Sequence, residues 1–255
     1  MTRKRSRIFW KPSGHACMND MVFVHGWGQS RQIWRPCMSI WPAAHYIDLP
    51  GHGGAPDAEP ENWLSTLPGE KPVLLIGWSL GGMLALKLAL KQPRLIKGLV
   101  LIASTAKFCQ SDDWSAGCPA PLFRAFERQA ATEPERLLRR FFALMLQGDE
   151  LAPSLKIRLQ RSCVNTAAPP SARAMQDGLS LLQNMDLRPH LDRIRIPCLI
   201  VHGRRDAIVP LAAGEYLCEH LPRAEMRCFE TAGHAPFLSH TKAFRKILEE
   251  WCQNL

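Results

Sequence analysis

The strongest constraint on the fold of this chain lies in residues 73–92. A wholly apolar run, VLLIG (73–77), passes into Trp78-Ser79-Leu80-Gly81 and then into GGMLALKLALKQ (81–92), a helical pattern stopped by Pro93. The first segment reads as a strand buried on both faces and the second as a helix. Between them, Gly77-Trp78-Ser79-Leu80-Gly81 satisfies G-x-S-x-G, whose glycines permit a tight, strained turn that lifts the serine hydroxyl above the sheet. A buried strand followed directly by a helix is the unit from which parallel sheets covered on both faces are made.

The same grammar recurs along the chain. Residues 21–24 run into His25-Gly26-Trp27-Gly28, and residues 45–49 into Pro50-Gly51-His52-Gly53-Gly54. Further strands are expected at 99–103, 198–202 (CLIVH) and 225–229, with an amphipathic helix closing the chain at 243–252. Uniformly apolar strands alternating with helices predict an α/β class fold, a doubly wound and mostly parallel central sheet flanked by helices. From about Lys107 to Met185 the strand pattern gives way to helical periodicity, as in ERLLRRFFALMLQ (135–147), broken by several prolines. The reading is therefore one core in two parts, 1–106 and 186–255, with a helical lid inserted at 107–185. Only 22 residues (51–72) separate the second strand from the third, and four prolines restrict them, so any helix there is brief, within 61–67.

Composition narrows the function classes. No run approaches the roughly 20 apolar residues that span a bilayer, and the N-terminus lacks the apolar core of a secretory signal, so a soluble, cytoplasmic protein is expected; it is separately read as a monomer. The nine cysteines are scattered and never spaced as C-x-x-C, which suggests neither a disulfide framework nor a zinc site. The net charge of +9 owes five basic residues and no acid to residues 2–11 (TRKRSRIFWK), which read as a solvated arm. No motif of nucleic-acid recognition accompanies that charge.

A neutral serine is a poor nucleophile and needs a base within hydrogen-bond reach, with an acid orienting that base. His234, in the glycine-containing loop AGHAPF (232–237) after the last strand, is the candidate base. Asp206, in GRRDAIVP (203–210) at the carboxyl end of the CLIVH strand, is the candidate acid. Asp48 is the alternative carboxylate, but it precedes Leu-Pro-Gly and reads as a turn residue. A tetrahedral oxyanion needs preorganised backbone donors: the N–H of Leu80, next to the nucleophile, and that of Trp27, in the loop after the first strand, are the candidates. The Trp27 ring would also wall the pocket. Such chemistry needs no metal and no organic cofactor.

Taken together, HGWG (25–28), DLPGHG (48–53), GWSLGG (77–82), HGRRDAIVP (202–210) and AGHAPFLSH (232–240) resemble the pimeloyl-[acyl-carrier-protein] methyl ester esterases of biotin synthesis, within the α/β-hydrolase superfamily. The resemblance covers nearly the whole chain after about Met21. It implies an α/β-hydrolase fold, hydrolysis of a terminal methyl ester, and an acyl-carrier protein as partner. It also implies acyl contacts from Phe141, Phe142, Ala143, Leu144 and Met145, with Phe141 foremost, alongside Trp27, Ser79, Leu80 and His234.

Arg136, Arg139 and Arg140 share one helical face, a cationic surface on which an acidic carrier could dock. Leu138, Phe142 and Met145 repeat along another face, fit to line an acyl tunnel. Residues 124–173 carry nine basic against five acidic residues, so the lid shares the positive bias. Later basic positions of the family are not cleanly matched, and Lys156 and Arg158 stand nearest to them. An ordinary amphipathic helix with a solvated basic face accounts for the same pattern. The rival functions are a general short-chain carboxylesterase, a lyase or thioesterase on the same fold, and a binding protein with an idle triad.

Overall fold

The computed structural model describes residues 20–65, 67–69, 71–164 and 167–255; the basic arm at 2–11 lies outside them. Six strands form one sheet: β1 (Met21–Val24), β2 (His45–Ile47), β3 (Val73–Trp78), β4 (Ile96–Ile102), β5 (Cys198–Gly203) and β6 (Ala224–Phe229), in the order β2-β1-β3-β4-β5-β6. Every neighbouring pair is parallel. The expected architecture is thus present. The inner strands explain why: all residues of β1, β3 and β5 are buried, so apolar side chains had to supply both faces. Each Val, Leu or Ile so buried contributes roughly 1.5–3 kcal/mol.

Seven α-helices of ten or more residues follow among the described residues: α1 (Leu80–Lys91), α2 (Ala120–Thr132), α3 (Pro134–Met145), α4 (Pro153–Cys163), α5 (Ala172–Asn184), α6 (Leu211–His220) and α7 (Thr241–Cys252). Helix α1 packs on β3 and β4, and α6 on β5 and β6. Between β4 and β5 the chain is helical, with α2 to α5 punctuated by prolines that sit at or next to helix starts.

Several boundaries depart from expectation. Strand β4 starts at Ile96 because the 3-10 turn Pro93–Leu95 leads straight into it. Strand β2 stops at Ile47, and the N–H of Leu49 is taken by the imidazole Nε2 of His25 rather than by a ladder carbonyl. The brief helix expected within 61–67 is only a 3-10 turn, Pro60–Asn62. Its continuation is blocked at Leu64, whose φ of 56° is left-handed. The connection from β2 to β3 therefore crosses β1 without an α-helix among its described residues.

Candidate active site

Strand order reverses between β1 and β3, and ligands of open α/β sheets gather outside the carboxyl ends of strands at such a switch point. The turns after β1 and β3 meet there. At the second, Ser79 has φ 54° and ψ −121°, a conformation that costs of order 1–3 kcal/mol and persists only where the surroundings impose it. They do so here by close approach: a Cβ on Gly81 would lie 2.5 Å from the carbonyl oxygens of both Val24 and His25. The Ser104 hydroxyl also donates to the Ser79 carbonyl at 2.8 Å.

The loop after β1 is held by His25, which is fully buried. Its Nε2 accepts the Leu49 N–H at 3.0 Å, so its Nδ1 carries the proton and donates to the Gly26 carbonyl at 2.8 Å. Burial, with His52 alongside, holds the His25 imidazole well below its ordinary pKa, so it stays neutral. Pinning the Gly26 carbonyl fixes the peptide plane and with it the opposed N–H of Trp27. That N–H finds no acceptor among the described residues, and neither does the N–H of Leu80 at the first position of α1.

The carboxylate and the imidazole predicted to pair do so. Asp206 Oδ2 accepts the Nδ1–H of His234 at 2.8 Å, with both side chains fully buried. The other oxygen, Oδ1, accepts the N–H groups of Ile208 (2.8 Å) and Val209 (3.0 Å). His202 Nε2 donates to the Val209 carbonyl at 2.9 Å and lies 3.4 Å from Asp206 Oδ2. Burial pushes the Asp206 carboxyl up, but His234 and His202 outweigh it and hold the group well below the usual carboxylate range. Asp48 is engaged elsewhere, accepting the Arg31 N–H at 2.6 Å.

With Nδ1 protonated, Nε2 of His234 is the basic nitrogen. It is buried and takes no hydrogen bond from Ser79 or any other described residue. Trp78, next to the serine, donates its Nε1–H to the His234 carbonyl at 2.9 Å and so ties the histidine loop to the nucleophile turn.

An apolar cavity opens on Ser79. Its walls are Trp27, Phe108, Cys118, Leu122, Phe123, Phe126, Phe141, Leu144, Leu179, Leu182 and Ile208. Trp27 in this wall is edge-on to Phe141 and braced by a bond from its Nε1–H to the Met175 carbonyl at 2.9 Å. Of the segment 141–145, only Phe141 and Leu144 reach this cavity. Phe142 and Met145 point into the core, and Ala143 is exposed. The stripe Leu138, Phe142 and Met145, read as the tunnel face, is therefore absent from this wall. Leu138 lies instead on a second groove between α2, α3 and α5.

The cations of α3 and α4 are differently disposed. Arg136 pairs with Glu133 at 3.0 Å, Arg139 with Glu135 at 3.6 Å, and Arg140 reaches Gln129 at 3.4 Å. Lys156 is half-buried and donates to the Leu146 carbonyl at 3.2 Å; Arg158 is exposed on α4.

Sequence reasoning passed over His25, His202 and the walls contributed by α2 and α5. The spacing of Phe123 and Phe126 on an amphipathic helix was the available signal, though it does not say what the helix faces. Among the described residues no group of three or more His, Cys, Asp or Glu is placed to hold a metal, and no helix is long and apolar enough to cross a membrane.

Comparison with known proteins agrees with this geometry. A model described as the alpha/beta hydrolase family matches residues 21–247. A pimeloyl-[acyl-carrier protein] methyl ester esterase of Nitrosomonas europaea is 36% identical over 235 residues, covering 88% of this chain and 92% of its own. The protein of the same name from Aromatoleum aromaticum is 37% identical over 243 residues, covering 91% and 97%. Among solved structures, an esterase from Exiguobacterium antarcticum superposes with a TM-score of 0.80 at 21% identity over 91% of each chain, a likeness of fold alone.

Proposed function

The chain belongs to the α/β-hydrolase family and, within it, to the pimeloyl-[acyl-carrier protein] methyl ester esterases, and on that footing we propose that it is a serine carboxylesterase that hydrolyses the methyl ester of a pimeloyl group borne by an acyl-carrier protein. The observation that carries the reading is a serine in a strained turn, opening on an otherwise apolar cavity, whose neighbour Trp78 ties that turn to a buried imidazole with its Nδ1–H held by a carboxylate.

In this reading His234 Nε2 takes the proton of the Ser79 hydroxyl as its oxygen attacks the ester carbonyl. The N–H groups of Trp27 and Leu80 receive the oxyanion, and removing one such donor typically costs about 3 to 4 kcal/mol. Collapse of the tetrahedral intermediate expels methanol, which leaves with the proton from His234. Water, deprotonated by the same nitrogen, then cleaves the acyl-enzyme and regenerates Ser79. Asp206 stays ionised throughout, keeping Nδ1 protonated and Nε2 basic. No metal or cofactor enters these steps.

The acyl chain would lie along Phe141 and Leu144 under a lid formed by 107–185, with Arg136, Arg139, Arg140, Lys156 and Arg158 as the surface offered to the acidic carrier. Arg158 is the best placed of these, since three of the others are engaged by neighbouring acids or a glutamine and Lys156 by a carbonyl. We further propose a cytoplasmic monomer.

The test is growth without biotin of a bacterial host lacking its own esterase, comparing this chain with Ser79→Ala at matched expression. Rescue by the parent alone supports the reading. An expressed, esterase-active parent that fails to rescue points to a general short-chain carboxylesterase instead.

A further inference from the structure

Two successive amides of the histidine loop are held from the lid side of the molecule, not from the sheet. The His234 N–H donates to the Met145 carbonyl at 2.9 Å, and the Gly233 N–H donates to Asp149 Oδ1 at 3.0 Å. Met145 is the last residue of α3, the helix whose Phe141 and Leu144 wall the cavity. The approach is closer than any side chain allows: a Cβ on Gly233 would lie 2.5 Å from the Gln147 carbonyl and 2.9 Å from that of Met145. The acid loop is gripped by the same stretch, since Arg205 donates to the Gly148 carbonyl at 3.2 Å and pairs with Glu150 at 2.8 Å.

Asp149 is the buried member of this stretch, 6% exposed, and the reaction as derived does not use it. Its Oδ2 takes no hydrogen bond among the described residues. Burying a carboxylate that is not fully bonded costs free energy, and burial accordingly pushes its pKa up. Ser239, His240 and Lys156 nearby offset part of that cost, and the bond that Asp149 makes to the histidine loop is to the amide immediately before the base.

We propose that Asp149 is a positioning residue for His234: with the Met145 carbonyl it fixes the backbone of residues 233 and 234, so that the cavity wall on α3 and the catalytic imidazole are set by one rigid piece. The proposal rests on the reading of Ser79 and His234 as nucleophile and base. Misplacing a catalytic group by about 1 Å can cost on the order of 100-fold in rate, whereas the bond itself makes no contact with substrate. The loss therefore falls on kcat and not on KM.

The experiment compares the parent, Asp149→Ala, Asp149→Asn and Ser79→Ala on p-nitrophenyl acetate and hexanoate. It adds labelling of Ser79 by a fluorophosphonate and melting temperatures. Asn keeps the acceptor that Gly233 needs. The expected result is a loss of about 10- to 100-fold in kcat and in labelling rate for Asp149→Ala, with KM within about twofold and with Asp149→Asn restored to within about threefold of the parent. Amide exchange supplies a second readout should the alanine variant fold poorly: Gly233 is protected in the parent and in Asp149→Asn. An alanine variant with parental kcat, an asparagine variant as slow as the alanine one, or a loss confined to KM overturns the proposal. A folded parent that neither hydrolyses the esters nor labels at Ser79 overturns the catalytic reading itself, and this proposal with it.

Discussion

Asp206 and His234, 28 residues apart in the chain, meet at 2.8 Å with both side chains withdrawn from water. The carboxylate arrives already satisfied by two backbone amides on its other oxygen, so it has one orientation in which to receive the Nδ1–H of the imidazole. Replacing it with asparagine retains the shape while offering the ring an N–H in place of an acceptor. Asp206→Asn is expected to lower kcat on the order of 10⁴-fold, because the wrong tautomer then faces Ser79. Steady-state kinetics on a p-nitrophenyl ester would check it; a loss under tenfold would mean that Asp206 is not the orienting acid.

Phe141 and Phe142 separate pocket from core within one turn of α3. Phe142 is 1% exposed and away from the cavity, so Phe142→Ala should destabilise the fold by about 3–5 kcal/mol, read from chemical denaturation. Phe141→Ala should instead cut kcat/KM for a hexanoyl ester by about tenfold relative to the acetyl ester, in line with the small energies of apolar specificity. Equal losses on both esters would remove Phe141 from acyl recognition.

Charge on the lid should matter only when the substrate is carried by a protein. Arg158 is exposed and takes no ion pair among the described residues, whereas Arg136 and Arg139 are balanced by glutamates of their own segment. Arg158→Glu is therefore expected to lower kcat/KM about tenfold for a carrier-borne methyl ester at low salt, an effect that shrinks as salt is added. Activity on p-nitrophenyl acetate should not change. Parental rates on the carrier-borne ester would place docking elsewhere.

The imidazoles of His25 and His52 make the fold sensitive to acid. Their rings lie 5.0 Å apart, and burial lowers the pKa of each in the folded protein. A lowered histidine pKa means that the unfolded chain binds protons first, from its ordinary value of about 6.5 downward. Stability is thus unaffected above that pH and falls below it, by up to about 1.4 kcal/mol per pH unit for each group. Melting temperature should be level from pH 8 to 7 and drop between pH 6.5 and 5. A flat profile across that range would show that both rings charge without cost.

The sequence by itself determined the features that depend on local patterning. Apolar runs too uniform to face water on either side dictated a parallel sheet, and the glycines about Ser79 dictated the turn. The positions of serine, aspartate and histidine after the carboxyl ends of β3, β5 and β6 placed all three on one edge. Periodicity could also tell that α3 is amphipathic, but not what lies opposite it. Leu138, Phe142 and Met145 form as good an apolar stripe as Phe141 and Leu144, and only the packing of α3 against the core decided that the second pair faces the cavity. The same holds for Asp149, whose neighbour Gly233 is 84 residues away. A hydrogen bond between a side chain and a distant amide leaves no trace in the spacing of either segment, so tertiary structure alone put the segment after α3 against the histidine loop.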